Sequence, residues 1–130
     1  MSQETILITG GAGNLARQLT DELAAAGHRI VLVDLPPADP ESPHEYHVAD
    51  IGDRERIESI LAEVRPDRVL HFASLLSGGS EDDRTRAWRV NVDGAFGLFE
   101  AALATDVGSI FFPSSVAAYG SPLPEIVPLD

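Results

Sequence analysis

Cysteine is absent from the 130 residues, and so is lysine. Without thiols the chain can build no disulfide, no cysteine nucleophile and no thiolate metal ligand. Without lysine, all nine basic residues are arginines, and chemistry that depends on an amine with an adjustable pKa has no side chain to carry it. Positive charge is scarce altogether. Nine basic residues face 21 acidic ones, a formal net charge of -12, which repels nucleic acid phosphates and anionic lipid headgroups, so neither is an expected partner. Long apolar runs are missing too, the longest being about five residues against the roughly 20 that a helix needs to span a bilayer. No basic stretch followed by an apolar core opens the sequence, so no secretion signal is read there and a cytoplasmic protein is expected.

What is present is an alternation of two patterns. A hydrophobic content of 44% over 130 residues supplies one core, and the length leaves little room for a second domain, so residues 1–130 are expected to form one unit. Thr5-Ile6-Leu7-Ile8-Thr9 is a short β-branched run ending at glycine, after which Leu15, Leu19 and Leu23 recur at helical spacing until Gly27. Ile30-Val31-Leu32-Val33 is a continuous apolar run of the kind found where a parallel strand is buried on both faces, and it ends at Asp34. Pro36, Pro37, Pro40 and Pro43 then predict a loop before a short strand around Tyr46 to Ala49. Ile57, Ile60, Leu61 and Val64 share a helical face closed by Pro66, and Val69-Leu70-His71-Phe72 reads as the next strand. A longer helix is expected from about Asp82 to Ala104, with Trp88, Val92, Ala95, Phe99 and Leu103 along one face, before the strand Ile110-Phe111-Phe112. Gly94 and Gly97 lie inside it at a cost of about 1 kcal/mol each relative to alanine, which close packing would offset. Five strands alternating with helices predict an α/β fold, a Rossmann-type doubly wound parallel sheet with flanking helices.

The chemistry-bearing segment is the first strand-to-helix turn, Thr9-Gly10-Gly11-Ala12-Gly13-Asn14-Leu15-Ala16. Gly10 can make the tight exit, Gly13 can let a pyrophosphate approach the backbone, and Ala16 is small enough for helix and strand to pack closely. Amides at the helix start then face negative phosphates. A glycine turn alone is also compatible with an ordinary loop, but Asp34 ends the next strand at about the 20-residue interval typical of dinucleotide sites. Its carboxylate can accept from the adenosine ribose hydroxyls, and no arginine stands between Leu35 and Tyr46 to receive a 2'-phosphate, so NAD is expected over NADP.

With these residues in place, the chain resembles the extended short-chain dehydrogenase/reductase family, the NAD-dependent epimerase/dehydratase group, over essentially its whole length. The turn is similar to the family's T-G-G-x-G-x-x-G motif with Ala16 in the last position. The resemblance implies cofactor contacts at Gly10, Gly13, Asn14, Leu15 and Asp34, and adenine binding at Asp50 and Ile51, the carboxylate accepting from the exocyclic amine. His71-Phe72-Ala73-Ser74 resembles the H-x-A-A segment, which assigns cofactor contacts to Phe72, Ala73 and Ser74 and leaves His71 a packed structural histidine. Asn91 in Asn91-Val92-Asp93-Gly94 matches the N-V-x-G asparagine, and Pro113 to Gly120 resembles the segment that delivers the catalytic hydroxyl, here Ser115 with Ser114 beside it. Leu75-Leu76-Ser77-Gly78 and the stretch from Ser114 to Glu125 look most like the threonine 3-dehydrogenase and D-erythronate dehydrogenase branches, implying substrate contacts at Ser77 and Ser115.

The family's proton-transferring Y-x-x-x-K motif has no counterpart. Tyr46 and Tyr119 are the two tyrosines, Tyr119 is followed four positions later by Leu123, and no lysine exists. The sequence is therefore expected to be the NAD-binding part of a longer enzyme, inactive alone, stopping before that motif and before the substrate-binding region, with a homodimer implied for the intact enzyme. Three functions stay open at this point: a dehydrogenase acting on a small hydroxylated substrate, a nucleotide-sugar epimerase or dehydratase, and a non-catalytic NAD-binding sensor. His44-x-x-His47 has no evident third ligand, so solvated histidines rather than a metal site are expected.

Overall fold

The computed structural model describes residues 3–36, 40–73 and 84–112. Strand β1 (Thr5–Thr9) leads through the glycine turn into helix α1 (Asn14–Ala25), and β2 (Arg29–Asp34) is followed by β3 (Glu45–Val48). Helix α2 (Arg54–Val64) precedes β4 (Arg68–His71). A helical stretch then comprises α3 (Arg84–Trp88), a π-helical turn (Arg89–Asp93) and α4 (Gly94–Ala104), before β5 (Ser109–Phe111). The five strands lie in one parallel sheet in the order β3-β2-β1-β4-β5. The chain thus begins at the centre, winds outward to β3 and returns to the other side of β1. Helix α1, which follows β1, and α4, which follows β4, cover opposite faces of the sheet, and such a reversal is where open α/β sheets form their binding crevice.

The apolar runs are continuous because both faces of the sheet are covered. Leu7, Val31, Val33 and Val69 pack with Ile57, Ile60, Leu61 and Val64 of α2 and with Leu98 and Ala101 of α4. Ile6, Ile8, Ile30 and Leu32 face the other way, against Ala16 of α1. Each such aliphatic side chain stabilises the fold by about 1.5–3 kcal/mol relative to exposure. Helix α2 starts where the Asp53 carboxylate accepts the Arg56 N–H at 3.2 Å. It ends at Arg65, held in the left-handed conformation (φ 49°) just before Pro66, which cannot continue a helix.

Two helix faces differ from the sequence expectation. In α1 the buried residues are Ala16 and Thr20, whereas Leu15 is 56% exposed and Leu19 and Leu23 are only partly covered. The glycine turn runs against β2 so tightly that a Cβ on Gly11 would lie 2.8 Å from Leu32 Cβ. The helix therefore begins too close to the sheet for a leucine beneath it. Thr20 fits because its hydroxyl donates to the Ala16 carbonyl at 2.7 Å.

In the last helical stretch, Ala95 alone of the expected face is fully buried. Trp88 and Leu103 are 62% and 78% exposed, Val92 is exposed, and Phe99 is half-buried. Beside Ala95, the packed face is made by Val90, Gly94, Gly97, Leu98, Ala101 and Ala102 instead. A Cβ on Gly94 would sit 3.1 Å from Ile51 Cγ2, so the approach selects small residues, and the widened π turn rotates the preceding turn relative to α4. Close packing at Gly94 is the compensation that the sequence called for.

Candidate functional site

Gly10 leaves β1 in the left-handed conformation (φ 69°), and a Cβ there would meet the Phe72 carbonyl carbon at 2.8 Å and the Ala73 nitrogen at 2.9 Å. Both are backbone atoms that cannot swing away, so this position requires glycine on conformational and spatial grounds together. The Gly10 and Gly11 amides donate to the Val33 carbonyl at 2.8 and 3.3 Å, and Gly13 N–H donates to the Gly10 carbonyl at 3.0 Å. Gly13 is the N-cap of α1 and offers no side-chain acceptor. The first-turn amides, which have no intrahelical partner, keep their capacity for an external anion at the positive end of the helix dipole.

Asp34 closes the turn from the β2 side. Its Oδ2 accepts the Ala12 N–H at 2.9 Å and its Oδ1 accepts the Leu35 N–H at 2.8 Å. A carboxylate has about four acceptor sites, so two remain for hydroxyl groups after both amides are satisfied.

From the β4 side, Thr9 and His71 tie the two strand ends together. Thr9 Oγ1 and His71 Nδ1 share a buried hydrogen bond of 2.7 Å, while Ala73 N–H donates to the same hydroxyl oxygen at 3.2 Å and Phe72 N–H donates to the Thr9 carbonyl at 3.1 Å. Burial pushes the His71 imidazole down to about 4, and its ring meets Phe112 edge-on at 5.1 Å. His71 is a neutral packed residue that fixes the exit of β4, as expected.

Beyond β3, Asp50 and Ile51 form a slot of contrasting character. Asp50 Oδ1 accepts the Gly52 N–H at 2.8 Å, its carbonyl accepts the Asp53 N–H at 2.9 Å, and Ile51 is buried beneath Gly94. An apolar floor with one carboxylate at its edge suits a flat heteroaromatic ring carrying an amine.

These pieces surround one cleft of about 460 Å³, within the size range of small-molecule sites. Of the residues singled out in the sequence, Gly10, Gly13, Asp34, Asp50, Ile51, Phe72 and Ala73 line it together. Asn14 and Leu15 stand exposed at the start of α1, and Asn91 is half-buried in the π turn, next to Val90. Ser74, Ser77, Ser114, Ser115 and Tyr119 lie outside the described residues. Sequence reasoning missed Thr9, Ala49 and Val90, which also line the cleft. Thr9 was marked by ending β1, whereas nothing local distinguishes Val90 from a core valine. A second depression of about 410 Å³ lies on the far side of the turn, between Arg17, Thr20 and Tyr46.

The sequence pattern of the NAD dependent epimerase/dehydratase family matches residues 6–130. The chain belongs to this family. UDP-glucose 4-epimerase of Rhizobium meliloti (strain 1021) is 36% identical over 138 residues, an overlap covering all of this chain and 40% of that protein. The structure of L-threonine dehydrogenase from Clostridium difficile superimposes with a TM-score of 0.86 at 29% identity, covering 100% of this chain and 42% of the other. Bordetella bronchiseptica WbmG, in complex with NAD and UDP, gives a TM-score of 0.86 at 26% identity, covering 99% and 43%. The chain spans about two fifths of the length of these proteins. The residues present fit the family's cofactor: the first-turn amides of α1 have no side-chain cap, Asp34 has acceptor sites to spare, and the slot pairs a carboxylate with an apolar floor.

Proposed function

We propose that this chain binds NAD and forms the cofactor-binding part of an NAD-dependent oxidoreductase or epimerase acting on a small hydroxylated or sugar-derived substrate. The observation that carries the proposal is the convergence of Gly10, Asp34, Asp50 and Ala73, from four separate segments, on one cleft at the carboxyl ends of β1, β2 and β4. When bound, NAD supplies a hydride acceptor for a carbon bearing a hydroxyl group. The chain's own residues hold and orient it. Amides at the start of α1 receive the pyrophosphate, Asp34 accepts from the adenosine ribose, and Asp50 accepts from the adenine amine while Ile51 and Val90 cover the ring. Phe72 and Ala73 form the wall at the exit of β4, and Ser115 would hydrogen-bond the reacting oxygen of the substrate.

NAD-dependent dehydrogenation of a hydroxy acid or amino acid is the leading activity, supported by the likeness to L-threonine dehydrogenase. Epimerisation of a nucleotide sugar is the second reading, favoured by the 36% identity to UDP-glucose 4-epimerase. The cofactor assignment is tested by calorimetric titration of the chain with NAD and with NADP. Tighter binding of NAD is expected, because Asp34 opposes a 2'-phosphate; equal affinities would remove Asp34 from the ribose site, and no binding of either would remove the proposal.

A further inference from the structure

Arg89 opens the π-helical turn, and its side chain is not among those lining the cleft; its neighbour Val90 is. Its stem instead crosses Gly52. A Cβ on Gly52 would come within 2.7 Å of Arg89 Nε and 3.0 Å of its Cγ, so the glycine makes room for the arginine. The guanidinium then reaches Asp50, with Nη2 3.9 Å from Oδ2. The other carboxylate oxygen, Oδ1, accepts the Gly52 N–H at 2.8 Å. Asp50 is thus approached from two sides, by an amide on one oxygen and by a charge near the other. π turns of this kind recur at functional sites because they shift one residue's side chain relative to the helix that follows.

We infer that Arg89 is a positioning residue that orients the Asp50 carboxylate at the base slot and sharpens its preference for a purine bearing a 6-amino group. The inference rests on the NAD reading above. A carboxylate accepts hydrogen bonds and does not donate them, so it pairs with the 6-amino group of adenine and opposes the 6-carbonyl of hypoxanthine. That discrimination depends on the carboxylate being held in place. A carboxylate that turns away loses the amine and ceases to oppose the carbonyl. Because Arg89 lies outside the lining, it acts through Asp50 and not by touching the base.

The test is calorimetric titration of the 130-residue chain and its variants with NAD and with the dinucleotide in which hypoxanthine replaces adenine. The unmodified chain should bind NAD more tightly. Arg89→Gln should weaken NAD binding by about two- to fivefold, the range of a partly exposed ion pair, and leave the hypoxanthine dinucleotide nearly unchanged. Arg89→Lys should recover most of the preference. Circular dichroism of each variant establishes that it is folded. In an Asp50→Asn background, Arg89→Gln should change neither affinity. Equal weakening of both dinucleotides would make Arg89 a packing residue and overturn the inference. An unchanged ratio would also overturn it, and an increased ratio would mean that the guanidinium reads the base directly. Failure of the unmodified chain to bind NAD would instead remove the NAD reading itself.

Discussion

Gly10→Ala tests the architecture of the cleft at its tightest point. The residue sits at φ 69°, and a Cβ there would lie 2.8 to 3.0 Å from three backbone atoms of Phe72 and Ala73. The left-handed conformation alone costs a residue with a Cβ about 1–2 kcal/mol. Forcing a methyl group against backbone adds about 1–3 kcal/mol, as overpacking does elsewhere. The sum, roughly 2–5 kcal/mol, is large against the about 5–15 kcal/mol by which domains are stable. Gly27 separates the two contributions, because it also has positive φ (96°) but nothing lies within 4 Å of the position its Cβ would take. Gly27→Ala should therefore cost only the conformational part, about 1–2 kcal/mol. Urea unfolding followed by circular dichroism measures both. Gly10→Ala should be the worse by about 1–3 kcal/mol and should lose NAD affinity, while Gly27→Ala keeps it. Equal destabilisation of the two variants would refute the close approach of the turn to the β4 exit.

Asp34→Ala should narrow the preference for NAD over NADP in paired titrations, since it removes the carboxylate from the 2' position; a preserved preference would place the discrimination elsewhere. His71 should make stability fall with acid. Above pH 6.5 the imidazole is neutral in both folded and unfolded chains, but between 6.5 and about 4 the unfolded chain takes up a proton that the folded one refuses, a loss of about 3 kcal/mol. Denaturant titrations of His71→Asn should show a stability deficit at pH 7 that shrinks toward pH 4.5, and parallel pH profiles for the two proteins would contradict the buried neutral imidazole. The 130-residue chain should bind NAD without reducing it in the presence of L-threonine or D-erythronate, because general acid-base help is worth about 10²- to 10⁴-fold and the chain has no lysine to assist a tyrosine. Absorbance at 340 nm follows this, and sustained turnover would reveal an unrecognised proton acceptor.

The sheet was legible because burial on both faces leaves an uninterrupted apolar signature, as at Ile6 to Ile8 and Ile30 to Val33. Helix α2 was legible for the opposite reason: one face is buried, and Ile57, Ile60, Leu61 and Val64 recur at its period. The turn and Asp34 were legible because glycine and aspartate are informative at strand ends. The packed face of α4 was not, since periodicity weights large side chains, while the approach of Gly94 to Ile51 buries small ones and leaves Trp88 and Leu103 outside. Equally invisible were the bonds from Asp34 to the Ala12 and Leu35 amides and the reach of Arg89 across Gly52 to Asp50. These depend on how distant segments meet, and no local pattern encodes them.

The proposal places NAD in the cleft at the carboxyl ends of β1 and β4. It is tested most directly by mapping backbone amide chemical shifts while the isotopically labelled chain is titrated with NAD. The largest changes should fall at Gly10 to Leu15, at Asp34 and Leu35, at Asp50 and Ile51, and at Phe72 and Ala73, with the amides around Thr20 and Tyr46 little affected. Changes concentrated at the second depression beside Arg17 and Tyr46, or no saturable changes at all, would contradict it.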